Sequence, residues 1–366
     1  MEKGDVEQDD FCPCGSGRRS QHCCRGKERA SASSSVLGGA MRELRQALAG
    51  KEFASEEELQ AFVQDFNEQL GRRPLDDFSG LSPEQMHRFL YFPFDSPQLV
   101  AFPPRLGIPP TAPFLTLFRL LARAMGEGGL KATARGNLPR KLVQEAASAF
   151  EGEGGDQRYA PRSIRTEADF FELHVTRLVA ELSGFIRKSK GRFVLRRDGR
   201  VAAKDEAAAS LYPRLFLIYV RDFNWAYWDA YPALPFIQQS FLFTLYLLTL
   251  HGDQWRPSTY YEDAFLRAFP KVLEEVAPVS YSTPESLIRS CYSWRVLERF
   301  AGFMGLVEIR RESNRLLDRS FQVRSTPLLK ETVRFRITAA TVVPTPSAPA
   351  GLGSSGDHPQ GRVSIN

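Results

Sequence analysis

The sequence predicts a mainly α fold, and three observations predict it. Hydrophobic residues recur at helical spacing over most of the chain, as at Phe171, Val175, Leu178 and Leu182. Only a few short segments alternate as strands do, and turn residues flank them. With 43% hydrophobic residues among 366, the chain can bury a large core, and its length favours two or three domains.

The composition changes along the chain predict its organisation. Small residues from Ala30 to Gly39 indicate a flexible linker, and the Pro, Ser, Gly and Thr content after Ala339 indicates a disordered tail. We therefore predict a disordered acidic segment at 1–10, a cysteine-rich segment at 11–26, a linker at 27–40, a helical region at 41–129, a mixed module at 130–204, an aromatic-rich helical block at 205–278, a second mixed module at 279–338 and a disordered tail at 339–366.

The module at 130–204 combines helices with a basic hairpin. A short strand begins at Leu130, and helices are predicted over Arg140–Phe150 and Ala168–Ile186. The segment Phe193–Val201 then alternates as a strand and closes on the Asp198-Gly199 turn. Two helices followed by a basic hairpin are typical of a winged-helix module.

The segment 279–338 repeats this pattern. Thr283 is a candidate N-cap for a short helix, and Trp294–Gly305 has the apolar face of another. Leu306–Ile309 and Phe321–Arg324 are expected to pair as a hairpin. The sequence therefore predicts a helical body with two winged-helix-like modules.

The charge of the chain is only mildly basic, at +5, but the basic residues are clustered. In the first module we expect the helix from Ala168 to enter a nucleic-acid groove while hairpin side chains neutralise phosphates. The candidate contacts are Arg187, Lys188, Lys190, Arg192, Arg196 and Arg197. A second, weaker basic region contains Arg310, Arg311, Arg315, Arg319 and Arg324.

One apolar stretch, Phe236 to Leu250, is too short to span a membrane and contains Gln238 and Gln239. We expect it to form the buried central helix of a domain. The acidic start of the chain carries no apolar leader, so the sequence predicts a cytoplasmic protein without a membrane partner.

Four of the five cysteines lie close together near the start of the chain, as Cys12, Cys14, Cys23 and Cys24. Thiolates are preferred ligands of structural Zn²⁺, which binds four of them tetrahedrally, so this cluster predicts one structural zinc ion. His22 is an alternative to Cys23 or Cys24 as a ligand. A pair of disulfides would need an oxidising compartment, for which the sequence gives no signal.

The string Cys-Pro-Cys-Gly-Ser-Gly-Arg-Arg from Cys12, followed by Cys23-Cys24, resembles the SEC-C motif. This zinc knuckle is named after the C-terminal tail of the SecA protein-translocation motor. The resemblance covers about residues 11–26 and departs from the motif at Ser20, where an aromatic residue is usual. It implies a zinc-binding segment that docks a protein or the ribosome, and the sequence has no phosphate-binding loop of a motor.

Two functions remain as hypotheses. The first is a zinc-binding recognition protein that contacts nucleic acid or a ribonucleoprotein through its winged-helix-like modules. The second is a non-enzymatic adaptor whose knuckle docks a partner protein or the ribosome. We identify no catalytic set and no cofactor-binding motif other than the zinc ligands, and we expect His174 to form an interhelical hydrogen bond and Cys291 to be buried.

Overall fold

The computed structural model describes residues 36–152, 164–202, 207–227, 229–277, 282–311 and 321–337. Within these ranges the chain is mainly helical, which confirms the prediction of a mainly α fold. The acidic start, the cysteine-rich segment with Cys12, Cys14, Cys23 and Cys24, and the tail from 339 lie outside the described residues. Their organisation and the zinc ligands therefore stay predictions.

A peripheral helical hairpin opens the described part of the chain. Helix α1 (Val36–Leu48) begins inside the segment predicted as a linker. The glycines of this segment do not prevent a helix, since each lowers helix stability by only about 1 kcal/mol. Helix α2 (Glu56–Arg72) has no fully buried residue. Helix α3 (Pro83–Tyr91) follows, with Ser82 and Gln85 forming a capping box. Strand β1 (Val100–Ala101) comes next in the chain.

The first unit follows the order helix, strand, helix, helix, strand, strand. Its three strands form an antiparallel sheet in which the last strand lies between the other two and pairs with both. The elements are α4 (Pro113–Met125), β2 (Leu130–Lys131), α5 (Arg140–Gly152), α6 (Phe171–Leu182), β3 (Ile186–Ser189) and β4 (Arg192–Leu195). Helix α4, which lies outside the segment predicted at 130–204, packs on α5 and α6 and belongs to this unit.

The hairpin turn of this unit differs from the predicted one. Lys190 and Gly191 form the turn, with φ of 48° and 71°, as two-residue hairpin turns with two positive φ values require. The predicted strand over Phe193–Val201 is wrong beyond Leu195, since helix α7 (Arg197–Ala202) replaces it. Gly199 is needed for packing instead, because a Cβ there would lie 2.4 Å from the carbonyl oxygen of Phe185.

A second unit repeats the order and the sheet topology of the first. It follows helices α8 (Ala208–Arg221) and α9 (Pro235–Gln239), and the last of its three strands again lies between the other two. Its elements are α10 (Phe241–His251), β5 (Arg256–Pro257), α11 (Ser258–Ala268), α12 (Pro284–Tyr292) continued by the π-helix Ser293–Gly302, β6 (Val307–Arg311) and β7 (Phe321–Ser325). The predicted hairpin is confirmed, and the unit extends back into the segment 205–278. Helix α13 (Pro327–Thr332) and strand β8 (Arg334–Phe335), which pairs with β1, complete the fold.

Helix α10 is the central helix of the core. Every residue from Phe241 to Leu248 is buried, so the helix is apolar on all sides because protein surrounds it. The predicted buried helix is confirmed, although the chain breaks at Ser240 into α9 and α10. Within the described residues, no helix is long and apolar enough to cross a membrane.

The third helix of each unit is buried against the rest of the molecule. Seven residues of α6 are buried, and six of the π-helix are. Helix α8 packs between the units, where Tyr219 and Tyr212 donate hydrogen bonds of 2.6 Å to the carbonyl oxygens of Arg299 and Met304. The prediction that the helix from Ala168 enters a nucleic-acid groove is therefore wrong, since its side chains are used in the core.

The loop before α9 is held by a buried arginine of the π-helix. Arg295 pairs with Asp229 and donates to the carbonyl oxygens of Ala233 and Pro232, both at 2.7 Å. Both members of the ion pair have almost no exposed side-chain surface. Removal of either partner would leave a buried charge alone, which is strongly destabilising.

The third helices end in the same way. Gly184 and Gly305 follow them with φ of 74° and 73°, a conformation that costs other residues about 1 kcal/mol or more. After each glycine, an amide bonds back to the carbonyl five residues earlier: Phe185 to Ala180 at 3.0 Å and Leu306 to Ala301 at 2.8 Å.

The two glycines allow a matched test of packing between elements. A Cβ at Gly305 would lie 2.5 Å from the carbonyl oxygen of Thr111 and 2.9 Å from Ala112, whereas a Cβ at Gly184 meets nothing within 4 Å. We expect Gly184→Ala to lower the free energy of unfolding by about 1 kcal/mol through backbone strain alone. Gly305→Ala should cost about 2 kcal/mol more, because α4 must move. Urea denaturation measures both, and equal losses would contradict the packing described here.

Candidate nucleic-acid interface

A basic cleft lies between the β3–β4 hairpin and the turn that follows β2. Its volume is about 580 Å³, and residues 131–136, 188 and 190–192 contribute its walls. Five of its lining side chains are cationic and none is a carboxylate; the cations are Lys131, Arg135, Lys188, Lys190 and Arg192. The cleft therefore has the electrostatic character of an anion site.

The turn after β2 is rigid because its backbone is internally hydrogen-bonded. Thr133 accepts from Gly136 at 2.8 Å through its carbonyl and from Asn137 at 3.0 Å through its hydroxyl. The Thr133 amide donates to the carbonyl of Asn137 at 2.9 Å. The amide of Ala132 donates to the Gly191 carbonyl at 2.8 Å, which ties the turn to the hairpin tip. The two walls of the cleft thus form one framework.

Two of the five cations are anchored to main-chain carbonyls. Arg192 donates through Nε to Gly128 at 2.9 Å and through Nη2 to Gly129 at 2.7 Å. Lys188 Nζ donates to the carbonyl of Gly136 at 3.1 Å. A carbonyl carries no net charge, so these bonds fix the two side chains without neutralising their positive charge.

The other three cations, Lys131, Arg135 and Lys190, are exposed. None of them forms an ion pair with a carboxylate among the residues that the structure describes. Five positive charges around one cleft repel one another, and a bound polyanion would relieve that repulsion.

The cleft contains half of the residues predicted from sequence. Lys188, Lys190 and Arg192 line it, whereas Arg187, Arg196 and Arg197 are exposed but do not. Sequence reasoning missed Lys131 and Arg135, which lie far earlier in the chain. The antiparallel pairing of Lys131 with Arg192 brings them in, and the predicted strand at Leu130 was the available signal.

A buried carboxylate holds the segment that directly follows the cleft turn. Glu167 is 1% exposed, and its Oε2 accepts from the amide of Leu138 at 2.6 Å, where the cleft turn leads into α5. Its Oε1 lies 2.8 Å from His174 Nδ1 and accepts from Arg177 Nε at 2.5 Å. Glu167 therefore connects the cleft turn to the third helix α6.

The network continues from α6 to the loop after α8. His174 Nε2 lies 3.0 Å from the hydroxyl of Tyr227, so this histidine has the hydrogen-bonding role expected of it. Arg177 also pairs with Glu181 at 3.0 Å and lies over the ring of Phe193, under the hairpin. Burial alone would raise the pKa of Glu167, but the His174 hydrogen bond and the charge of Arg177 outweigh it and lower the pKa overall.

Among the described residues, no group of three or more His, Cys, Asp or Glu side chains could hold a metal ion. Cys291 is fully buried, as expected from sequence, and burial raises the pKa of its thiol to about 12. It is therefore an unreactive core residue. The predicted zinc ligands Cys12, Cys14, Cys23 and Cys24 lie outside the described residues.

The Glu167 network gives a pH-dependent prediction. A carboxyl whose pKa is lowered by folding stabilises the folded state above its ordinary pKa, near 4.5, and loses this contribution as the pH falls. Glu167→Gln should lower the free energy of unfolding by about 3 kcal/mol at pH 7, because it leaves Arg177 with less charge compensation. The difference from the wild type should shrink as the pH falls below about 4.5.

Urea titrations between pH 3.5 and 7 measure this difference. The control is Glu285→Gln, which removes an exposed partner of Arg289 and should cost less than about 1 kcal/mol. A difference between wild type and Glu167→Gln that stays constant with pH would show that the carboxylate charge does not stabilise the network.

Residues 111–208 are similar to a family model described as the Y4jL N-terminal domain. This segment begins just before α4 and ends at the start of α8, so it contains the whole first unit and all five cations of the cleft. No curated protein and no solved structure matches the chain. The first unit is therefore the part of this protein for which a family similarity is found.

Proposed function

We propose that this protein binds nucleic acid, alone or within a ribonucleoprotein, by contacting backbone phosphates at the basic cleft of the first unit. The observation that carries the proposal is the set of five cationic side chains around one cleft without a carboxylate. Phosphate contacts of lysine and arginine supply most of the affinity of sequence-independent nucleic-acid binding.

The framework of this site is, in our proposal, a pair of winged-helix modules. The order helix, strand, helix, helix, strand, strand supports it, and so does the repeated sheet in which the third strand lies in the middle. In this interpretation β3–β4 is the wing of the first module, and the cleft lies between the wing and the turn after β2.

The binding mode follows from which surfaces are exposed. A winged-helix module that reads bases does so with its third helix, but α6 is buried here. The cleft has no aromatic lining residue on which a base could stack. We therefore expect affinity without sequence preference, because phosphate contacts position a protein but carry no base information.

An adaptor function is the second candidate, and an exposed aromatic surface favours it. Tyr91, Phe92 and Phe94 are 57%, 45% and 37% exposed beside His87, whose ring centroid lies 4.8 Å from that of Tyr91. Aromatic residues are enriched in protein interfaces. In this alternative the SEC-C-like knuckle docks a partner protein or the ribosome, and the helical body is a scaffold.

Charge removal in the cleft tests the first proposal. The variant with Lys131→Gln, Arg135→Gln and Lys190→Gln should bind a duplex of any sequence at least about tenfold more weakly, since each lost cation removes a phosphate contact. Fluorescence anisotropy at fixed salt measures the affinity.

The matched control carries Arg187→Gln, Arg196→Gln and Arg197→Gln. It removes the same charge from exposed positions that do not line the cleft. Equal losses in the two variants would show that only the overall charge matters. A wild-type protein that binds no nucleic acid at low salt would overturn the proposal and leave the adaptor.

We also propose that Cys12, Cys14, Cys23 and Cys24 hold one structural zinc ion, with His22 the alternative to Cys23 or Cys24. The basis is the thiolate spacing and the resemblance to the SEC-C motif. Purified under reducing conditions, the protein should contain one zinc per chain by elemental analysis, and Cys12→Ser with Cys14→Ser should remove it. A wild-type protein without metal would end this proposal, and a His22→Ala variant with full zinc content would assign all four sites to the cysteines.

A further inference from the structure

The sheet of the second unit has an outer face unlike that of the basic cleft. Phe321 and Val323 point into the core, so their neighbours in β7, Gln322 and Arg324, face outward. Across the sheet, Glu308 pairs with Arg324 and Arg310 pairs with Gln322. The fifth member is Trp255, which precedes β5 at the other edge. We call these five residues the tryptophan platform: Trp255, Glu308, Arg310, Gln322 and Arg324.

Two guanidinium groups lie over the indole of Trp255. The guanidinium carbon of Arg310 is 4.6 Å from the ring centroid, and that of Arg324 is 4.8 Å away. Among the described residues, each arginine also donates a hydrogen bond across the sheet: Arg310 Nη2 to Gln322 Oε1 at 2.6 Å, and Arg324 Nη2 to Glu308 Oε2 at 2.6 Å. The ring and these two bonds hold both guanidinium groups in place.

Both arginines retain exposed surface although the ring and the hydrogen bonds hold them in place. Arg310 is exposed, and the side chain of Arg324 is 42% exposed. An arginine held against an aromatic ring presents its planar group to solvent at little further loss of conformational freedom. Nucleic-acid bases stack on such planes as they do on aromatic rings.

We propose that the tryptophan platform binds bases of a single-stranded segment of nucleic acid. This inference rests on the proposed function, and it names a form of nucleic acid that the cleft does not select. The two surfaces differ in charge: five cations and no carboxylate line the cleft, whereas the two arginines over the tryptophan hydrogen-bond to an amide oxygen and a carboxylate. A carboxylate repels phosphate, but its oxygens accept hydrogen bonds from base amino groups.

Single strands are favoured because the platform offers the planar groups of Arg310 and Arg324. Bases in a duplex are stacked on one another and offer only their edges, whereas unpaired bases offer their faces. Stacking on one side chain contributes about 1–3 kcal/mol per base and tolerates any sequence. The platform would thus add affinity for unpaired segments to the phosphate binding of the cleft.

Arginine-to-lysine substitution separates stacking from charge. Arg310→Lys combined with Arg324→Lys keeps both positive charges and removes the planar groups. We expect the double variant to bind an oligouridine of about 12 nucleotides about tenfold more weakly, while its affinity for a duplex of the same length stays unchanged. Arg334→Lys, at an exposed position on the separate β1–β8 sheet, is the matched control and should change neither affinity.

Tryptophan fluorescence of the wild-type protein gives an independent measurement of base binding at the platform. Oligouridine should quench part of the tryptophan emission of the full-length protein, and Trp255→Phe should remove that part while retaining an aromatic support for both arginines. Thermal melting of each variant checks that the fold is intact.

The outcomes separate this inference from the proposed function. Equal losses for oligouridine and duplex, or no loss for either, would overturn the platform as a base-binding site, and so would quenching that persists in Trp255→Phe. If the cleft variant loses affinity while the arginine-to-lysine variant does not, only the platform fails. A wild-type protein that binds neither probe overturns both.

Discussion

The fold depends on the burial of the third helix of each repeated unit. Helix α6 and the π-helix pack toward α8, and tyrosine hydroxyls of α8 hydrogen-bond to main-chain carbonyls of the π-helix and its end. The ring centroid of Trp225 lies 4.3 Å from that of Phe300 in the same region. The guanidinium of Arg299 lies 3.5 Å from the ring centroid of Phe171, which joins the third helices of the two units. This packing makes one body of two units and removes from solvent the helices that such units otherwise present to a ligand.

Because the third helices are buried, the candidate binding surfaces lie on the sheets instead. In the first unit, Glu167 joins the buried helix α6 to the turn that lines the cleft, so the core and the cleft share one hydrogen-bonded network. In the second unit, the outer face of the sheet carries arginine and tryptophan side chains whose geometry is fixed by cross-strand partners. The repeated topology thus presents two chemically distinct surfaces, one suited to phosphates and the other to bases.

Much of the fold follows from local sequence signals. The cap at Thr283, the buried apolar helix and the hairpin between Val307 and Ser325 could all be predicted, because each depends on residues close in sequence. The Lys190–Gly191 turn was missed, since Asp198-Gly199 is an equally good turn signal and only packing against Phe185 decides against it. The burial of α6 was missed for a related reason: an amphipathic pattern does not show that helix α8 also packs against this helix.

The cations of the cleft could be predicted only in part, for the same physical reason. Lys188, Lys190 and Arg192 are neighbours in sequence and were found, whereas Lys131 and Arg135 join them only through the β2–β4 pairing. Arg187, Arg196 and Arg197 belong to the same basic run, but strand alternation and helix α7 direct the chain away from the cleft. Charge density along a sequence therefore indicates a binding region, and the register of the strands selects its members.

The salt dependence of duplex affinity tests the central claim most directly, because each phosphate contact releases counterions. If the five cations of the cleft each contact a phosphate, the logarithm of the association constant should fall with the logarithm of the salt concentration with a slope of about −4 to −5. Removing Lys131, Arg135 and Lys190 should reduce the magnitude of this slope by about 3. An identical slope in the wild type and this variant would contradict phosphate binding at the cleft.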